Sequence, residues 1–152
     1  MEDSLEKWKN KIGEMIVNFG EIERATYQVW VYYGKEIKDA PKEFTRRCGK
    51  VIGLIDRDSS IDGKTKEMVK DAFSRANELA QQRNDYAHNP VQVNLYEHPD
   101  TKELSVAAEV NQVLSGETLS YEQLCALVDE INNLAENIYN IIPLPLMYTG
   151  DG

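Results

Sequence analysis

Arg83, Asn84 and His88 fall within the stretch "RNDYAHNP", residues 83–90. They bring a permanent cation, an amide and an imidazole close together. A guanidinium can grip two phosphate oxygens through its planar fork. An imidazole exchanges protons near neutral pH. An amide both donates and accepts, so it can orient either neighbour. The set suits chemistry at an anionic centre where a proton moves and negative charge builds. Two plainer readings stand beside it. Histidine is common at helix ends, where it caps carbonyls, and an arginine ending an apolar stripe can reach water with its head group. The bare spacing also arises easily by chance.

The segment lies at the end of a helical pattern. Val69, Ala72, Ala76, Leu79, Arg83 and Tyr86 recur at spacings of three and four, which predicts a helix over about 65–87. Arg83 takes a slot where the stripe calls for an apolar side chain, so it needs a partner or the mouth of a cleft. Asn84 and His88 are four apart and share a helix face. Asn89-Pro90 stops the helix, because a residue before proline is pushed out of the α region.

Three further helices must position this one. Leu5, Trp8, Ile12, Met15, Phe19, Ile22, Thr26, Val29 and Tyr33 form one face of a long helix over 3–34, with Gly34 as its stop. A second helix is expected from Pro41, which suits a first helical position, with Phe44, Cys48, Val51, Ile52 and Ile55 inward and "DRDSSIDGK" closing it. Ser120 and Gln123 make a capping box for the last, striped by Leu124, Leu127, Ile131, Leu134, Ile138 and Ile141. Between the third and last helices, "VQVNLYEHPDTKELSVAAEV" alternates around a turn, so a short hairpin is expected at about 91–97 and 102–108. The predicted fold is mainly all-α, a four-helix bundle with a β-hairpin inserted before the last helix. It forms one domain over 1–143, with a tail at 144–152.

With this plan in view, "RNDYAH" resembles the R-x(4–6)-H motif of the HEPN superfamily (higher eukaryotes and prokaryotes nucleotide-binding domains), often written with Asn after the Arg. The resemblance implies a helical bundle and a metal-independent endoribonuclease. It implies a homodimer whose two motifs meet at a composite active site, with Arg83, Asn84 and His88 in the catalytic roles. It also implies an effector of toxin–antitoxin or phage-defence systems, with a cognate antitoxin as a further partner. Members often carry an acidic or polar residue on the first helix near the motif. "FGEIERA" offers Glu21 and Glu23; Glu23, next to the stripe residue Ile22, is favoured, with a solvated charge beside the seam as the equally plain reading. The family also includes members that bind nucleotides or proteins without turnover, which is the alternative reading. A third reading is a purely structural bundle in which Arg83 is ion-paired and His88 is a cap.

The chemistry agrees with the residue types. RNA is cut without metal when a base takes the 2′-hydroxyl proton, an acid protonates the leaving 5′-oxygen and a cation holds the phosphorane between them. One imidazole does not readily serve as both acid and base, so two copies in a symmetric dimer have a catalytic reason to meet. No Asp, Glu, His or Cys grouping has metal-ligand spacing, and neither a metal nor a cofactor is expected. Cys48 and Cys125 stand apart and read as two small buried residues in a reducing compartment.

A net charge of −9 argues against a nucleic-acid partner until its distribution is considered. No Lys or Arg follows Lys102, so the acidity belongs to the C-terminal third. Lys42, Arg46 and Lys50, with Arg47 beside them, form a basic ridge on the second helix that could meet RNA phosphates. A solvated helix face is the plainer account of it. His98 reads as an exposed turn residue. No apolar run is long enough to span a bilayer and the polar N-terminus does not read as a signal peptide. A cytoplasmic protein with no membrane partner is expected.

Overall fold

Four helices and a small antiparallel sheet make up the computed structural model, which describes residues 2–112 and 115–143. The expected tail at 144–152 lies outside the described residues. Helix α1 spans Glu2–Tyr32, α2 Phe44–Asp56, α3 Gly63–His88 and α4 Tyr121–Ile141. Strands β1 (Val91–Glu97), β2 (Leu104–Asn111) and β3 (Thr118–Leu119) stand between α3 and α4. No helix among the described residues is long and apolar enough to cross a membrane.

Helix α1 touches all three other helices. Trp8, Met15, Phe19, Ile22, Thr26 and Val29 of the expected face are buried, and Ile12 and Tyr33 pack against the core from its rim. Each large apolar side chain removed from water contributes about 1.5–3 kcal/mol, so this face binds the molecule together. The helix stops where Gly34 takes a φ of +75°, a conformation that costs glycine little. The Gly34 N–H donates to the Val31 carbonyl and the Lys35 N–H to the Trp30 carbonyl, which closes the last turn.

Helix α2 begins at Phe44 rather than Pro41. A side chain explains the delay: the Arg47 guanidinium takes the carbonyls of Pro41 and Lys42, at 2.8 and 3.1 Å. Those carbonyls are held away from a helical ladder, and the connection from α1 makes a single 3-10 turn at Ile37–Asp39 instead. Asp62 caps α3 by accepting from the Thr65 backbone N–H. Ser120 and Gln123 form the expected capping box of α4. Both ends of that box fix where α4 leaves the sheet.

The sheet has three strands in the order β1-β2-β3, one more than the expected hairpin. β3 is two residues long, too short to show an alternation, and it pairs Leu119 with Val110. The β1–β2 turn runs over His98–Glu103 as expected: His98 donates to the Glu103 carbonyl and its own carbonyl accepts from Lys102. Val91, Val93 and Leu95 share one face with their partners Val110, Ala108 and Val106. Val110 is buried and Val91 and Ala108 pack against the core, whereas Leu95 and Val106 are exposed. The base of the hairpin is therefore rooted in the helices and its outer half stands in solvent.

Candidate functional site

The last two turns of α3 carry the motif, and α1 supplies its partner. Arg83 replaces an apolar residue on the buried stripe, but its guanidinium is not left alone. Nη1 donates to Glu23 Oε1 at 2.7 Å and Nη2 donates to Asn84 Oδ1 at 3.1 Å. The guanidinium carbon lies 4.3 Å from the centroid of the Phe19 ring, one turn before Glu23 on α1. A cation over an aromatic face is attracted by the ring quadrupole, so Phe19 supports the head group from below while Glu23 and Asn84 hold its edges. The Arg83 side chain is 20% exposed and that of Glu23 36%. The pair thus sits at the mouth of the interhelical seam, half in water.

His88 is the last residue of α3 and is exposed, as is Asn84 one turn earlier. Their spacing of four puts both on one helix face. Asn89 follows as the C-cap in an extended conformation, and its side-chain amide donates to the Asp85 carbonyl at 2.6 Å. Asn89 thus caps one of the last carbonyls of α3. Next to the cluster Tyr86 is buried beside Trp8, and burial pushes its phenol up to about 12. It packs the motif from inside and stays neutral.

Of the two acidic candidates on α1, Glu23 reaches Arg83. Glu21 lies round the helix, where it accepts from the Tyr139 hydroxyl of α4 at 3.1 Å and lies 3.9 Å from Arg24. Thr26 ties the Glu23 turn to a second arginine. Its hydroxyl donates to the Glu23 carbonyl at 2.6 Å and accepts from Arg47 Nε at 2.7 Å.

Arg47 does not belong to the expected basic ridge. It is 1% exposed, its head lies 4.0 Å over the Tyr27 ring, and its donors go to Thr26, Pro41 and Lys42. A side chain so enclosed joins α1 to α2 and cannot reach an RNA phosphate outside. Lys42, Arg46 and Lys50 are exposed, Lys42 just before α2 and the other two on it. Arg46 and Lys50 line a cleft of about 480 Å³ with Lys35, Arg57 and Trp30, residues not singled out in the sequence. Arg57 follows Arg46 by eleven positions, the same helical stripe, so periodicity carried a signal for it. Lys35 lies beyond the end of α1, where no pattern points to the cleft.

Among the described residues no three His, Cys, Asp or Glu side chains are gathered to hold a metal. Cys48 is buried, and burial pushes its thiol up to about 12; Cys125 is half-buried, and both are free. His98 is exposed in the hairpin turn, where Nδ1 accepts from the N–H groups of Asp100 and Thr101. Comparison with family models, with curated proteins and with solved structures finds no match for this chain.

Proposed function

We propose that this protein is a metal-independent endoribonuclease of the HEPN kind, a four-helix bundle with the sheet inserted before its last helix, working as a homodimer. The observation that carries the reading is the cluster at the end of α3: Arg83 held by Glu23 and Asn84, with His88 exposed one turn on. Arg83 has five N–H donors, and its side-chain partners take two of them. The others suit the non-bridging oxygens of a scissile phosphate.

The reaction uses two imidazoles, one from each protomer. The neutral His88 of one takes the proton of the ribose 2′-hydroxyl as the 2′-oxygen bonds to phosphorus. The bond from phosphorus to the 5′-oxygen breaks, and that oxygen takes a proton from the imidazolium of the other. The products are a 2′,3′-cyclic phosphate and a 5′-hydroxyl. Arg83 balances the charge that builds on the phosphorane, and Glu23 fixes its orientation from behind. A role in a toxin–antitoxin or phage-defence system, in the cytoplasm and under the control of an antitoxin, follows from the resemblance alone.

One observation favours a second reading. Arg83 already has a carboxylate partner and an aromatic support, which is also how a structural arginine is satisfied. A non-catalytic nucleotide- or protein-binding module of the same fold would keep that pair and have no use for His88. His88→Ala separates the two readings. A general acid–base group is worth about 10²–10⁴-fold in rate, and an exposed helix-end side chain contributes little to stability. Cleavage of a structured RNA should fall by that factor with the melting temperature unchanged. Equal cleavage by the variant and the parent would remove the catalytic reading.

A further inference from the structure

The cleft beside α2 has no role in the chemistry above. It is lined by Lys35, Asp39 and Pro41 of the α1–α2 connection, by Arg46, Lys50, Leu54 and Arg57 of α2 and its C-terminal end, and by Trp30 of α1. Four cations meet one carboxylate there, in a chain with 26 acidic residues against 17 basic ones. Among the described residues none of the four cations is in an ion pair. Elsewhere on the surface lysines and arginines do find carboxylates, as Lys70 finds Asp56 and Lys11 finds Glu14. Like charges lining a cleft with low-dielectric walls repel one another and focus a field on an outside anion.

The arrangement fits a chain of anions rather than one. From Arg46 to Arg57 the basic stripe extends roughly 16 Å along the helix axis, longer than a single phosphate group. Two guanidinium forks alternate with lysine point charges, a mixture suited to phosphate oxygens. Trp30 is buried, its indole N–H donates to the Glu36 carbonyl at 2.9 Å and Lys35 Nζ lies 5.2 Å from its ring centroid, so the ring is fixed and is no platform for a base. Recognition here would run through the backbone and be indifferent to sequence.

We propose that this cleft is a phosphate track that holds the sugar–phosphate backbone of a single RNA strand, separate from the Arg83 cluster; the choice of RNA rests on the ribonuclease reading. Along α1, Trp30 follows Glu23 by seven residues, two helical turns on the same side, so the track begins roughly 10 Å along the helix from the cluster. A strand lying in it is anchored beside the bond to be cut.

The test is binding without cutting. In a His88→Ala background, a fluorescein-labelled single-stranded RNA of mixed sequence is titrated by anisotropy at several salt concentrations. The triple change Arg46→Gln, Lys50→Gln, Arg57→Gln should weaken binding at least tenfold at low salt. It should also flatten the dependence of log affinity on log salt by about 2, because each lost contact with a single strand removes about 0.7. Melting curves confirm that the fold is kept, and Lys50→Glu alone, at an exposed position, should weaken binding in the same direction. Unchanged affinity and salt slope in both variants would overturn the proposal. So would inorganic tripolyphosphate binding the cleft while RNA does not, since the site would then serve a small anion. RNA held through α2 but never cut by the parent protein leaves the track standing and removes the ribonuclease reading. RNA cut and bound equally by parent and triple variant removes the track alone.

Discussion

Arg83 donates to the carboxylate of Glu23 at 2.7 Å although sixty residues separate the two in the chain. The bond joins the end of α3 to the C-terminal third of α1. Because both side chains are partly exposed, solvent screens the pair, and its coupling should be modest. A double-mutant cycle with Glu23→Ala and Arg83→Ala, read by urea denaturation, should return about 0.5–1 kcal/mol. A coupling near zero would assign the hold on Arg83 to Phe19 and Asn84 instead.

Arg47 predicts the opposite scale of effect. Arg47→Met leaves the buried Thr26 hydroxyl and the part-buried carbonyls of Pro41 and Lys42 without their donor, and a buried orphan costs about 1–3 kcal/mol. The variant should lose about 3 kcal/mol or more by chemical denaturation. Arg46→Met, one residue earlier and exposed, should stay within about 0.5 kcal/mol of the parent. Similar losses at both positions would mean that Arg47 is not the strut between α1 and α2.

Acid should weaken the α2–α3 connection. Asp58 is held below its ordinary value of 3.8 by the Ser60 hydroxyl and then by the Tyr33 hydroxyl, and Asp62 by the Thr65 backbone N–H and hydroxyl. A carboxyl whose folded pKa is depressed stabilises the fold above its unfolded value and gives that up as pH falls through the folded one. On this account stability is level from neutrality to about pH 4 and declines below it. In the double variant Asp58→Asn, Asp62→Asn the drop in melting temperature between pH 5 and pH 3 should be shallower than in the parent. An equally steep drop would place the acid-sensitive groups elsewhere.

RNA cleavage should survive EDTA. The motif brings a guanidinium, an amide and an imidazole to the phosphate, groups that move protons and balance charge without a metal's help. Activity that disappears in EDTA and returns with magnesium would reject the mechanism, whichever residues proved essential.

Periodicity made the helices legible. The α1 face from Trp8 to Val29 is a strict three-four repeat, and all of it but Ile12, at the rim, is buried. Ser120 and Gln123 announced α4 because a capping box is local chemistry, complete within four residues. The start of α2 was hidden because it depends on where the Arg47 side chain goes, a tertiary fact. For the same reason Arg47, charged and next to Arg46, looked like a surface residue; nothing in its neighbours says that Thr26 and Tyr27 will enclose it. β3 escaped because two residues cannot display a period. At the candidate site, the break in the α3 stripe at Arg83 demanded a partner, and Glu23 was legible from its place beside Ile22. The cleft was only half legible, since Lys35 joins it through a chain reversal that no spacing encodes.

Only Asn89 and Pro90 lie between His88, the end of α3, and Val91, the start of β1. Proline's ring fixes one of the few torsions in that link, and the Asn89 amide ties it to the Asp85 carbonyl. In mechanical terms the hairpin is a lever and the end of α3 is its fulcrum. Its strands extend roughly 20 Å at the usual rise per residue, while its base is clamped through Val91 and Val110. The hairpin's base and the histidine that ends the helix are thus separated only by a joint two residues long, and share one anchor on the core.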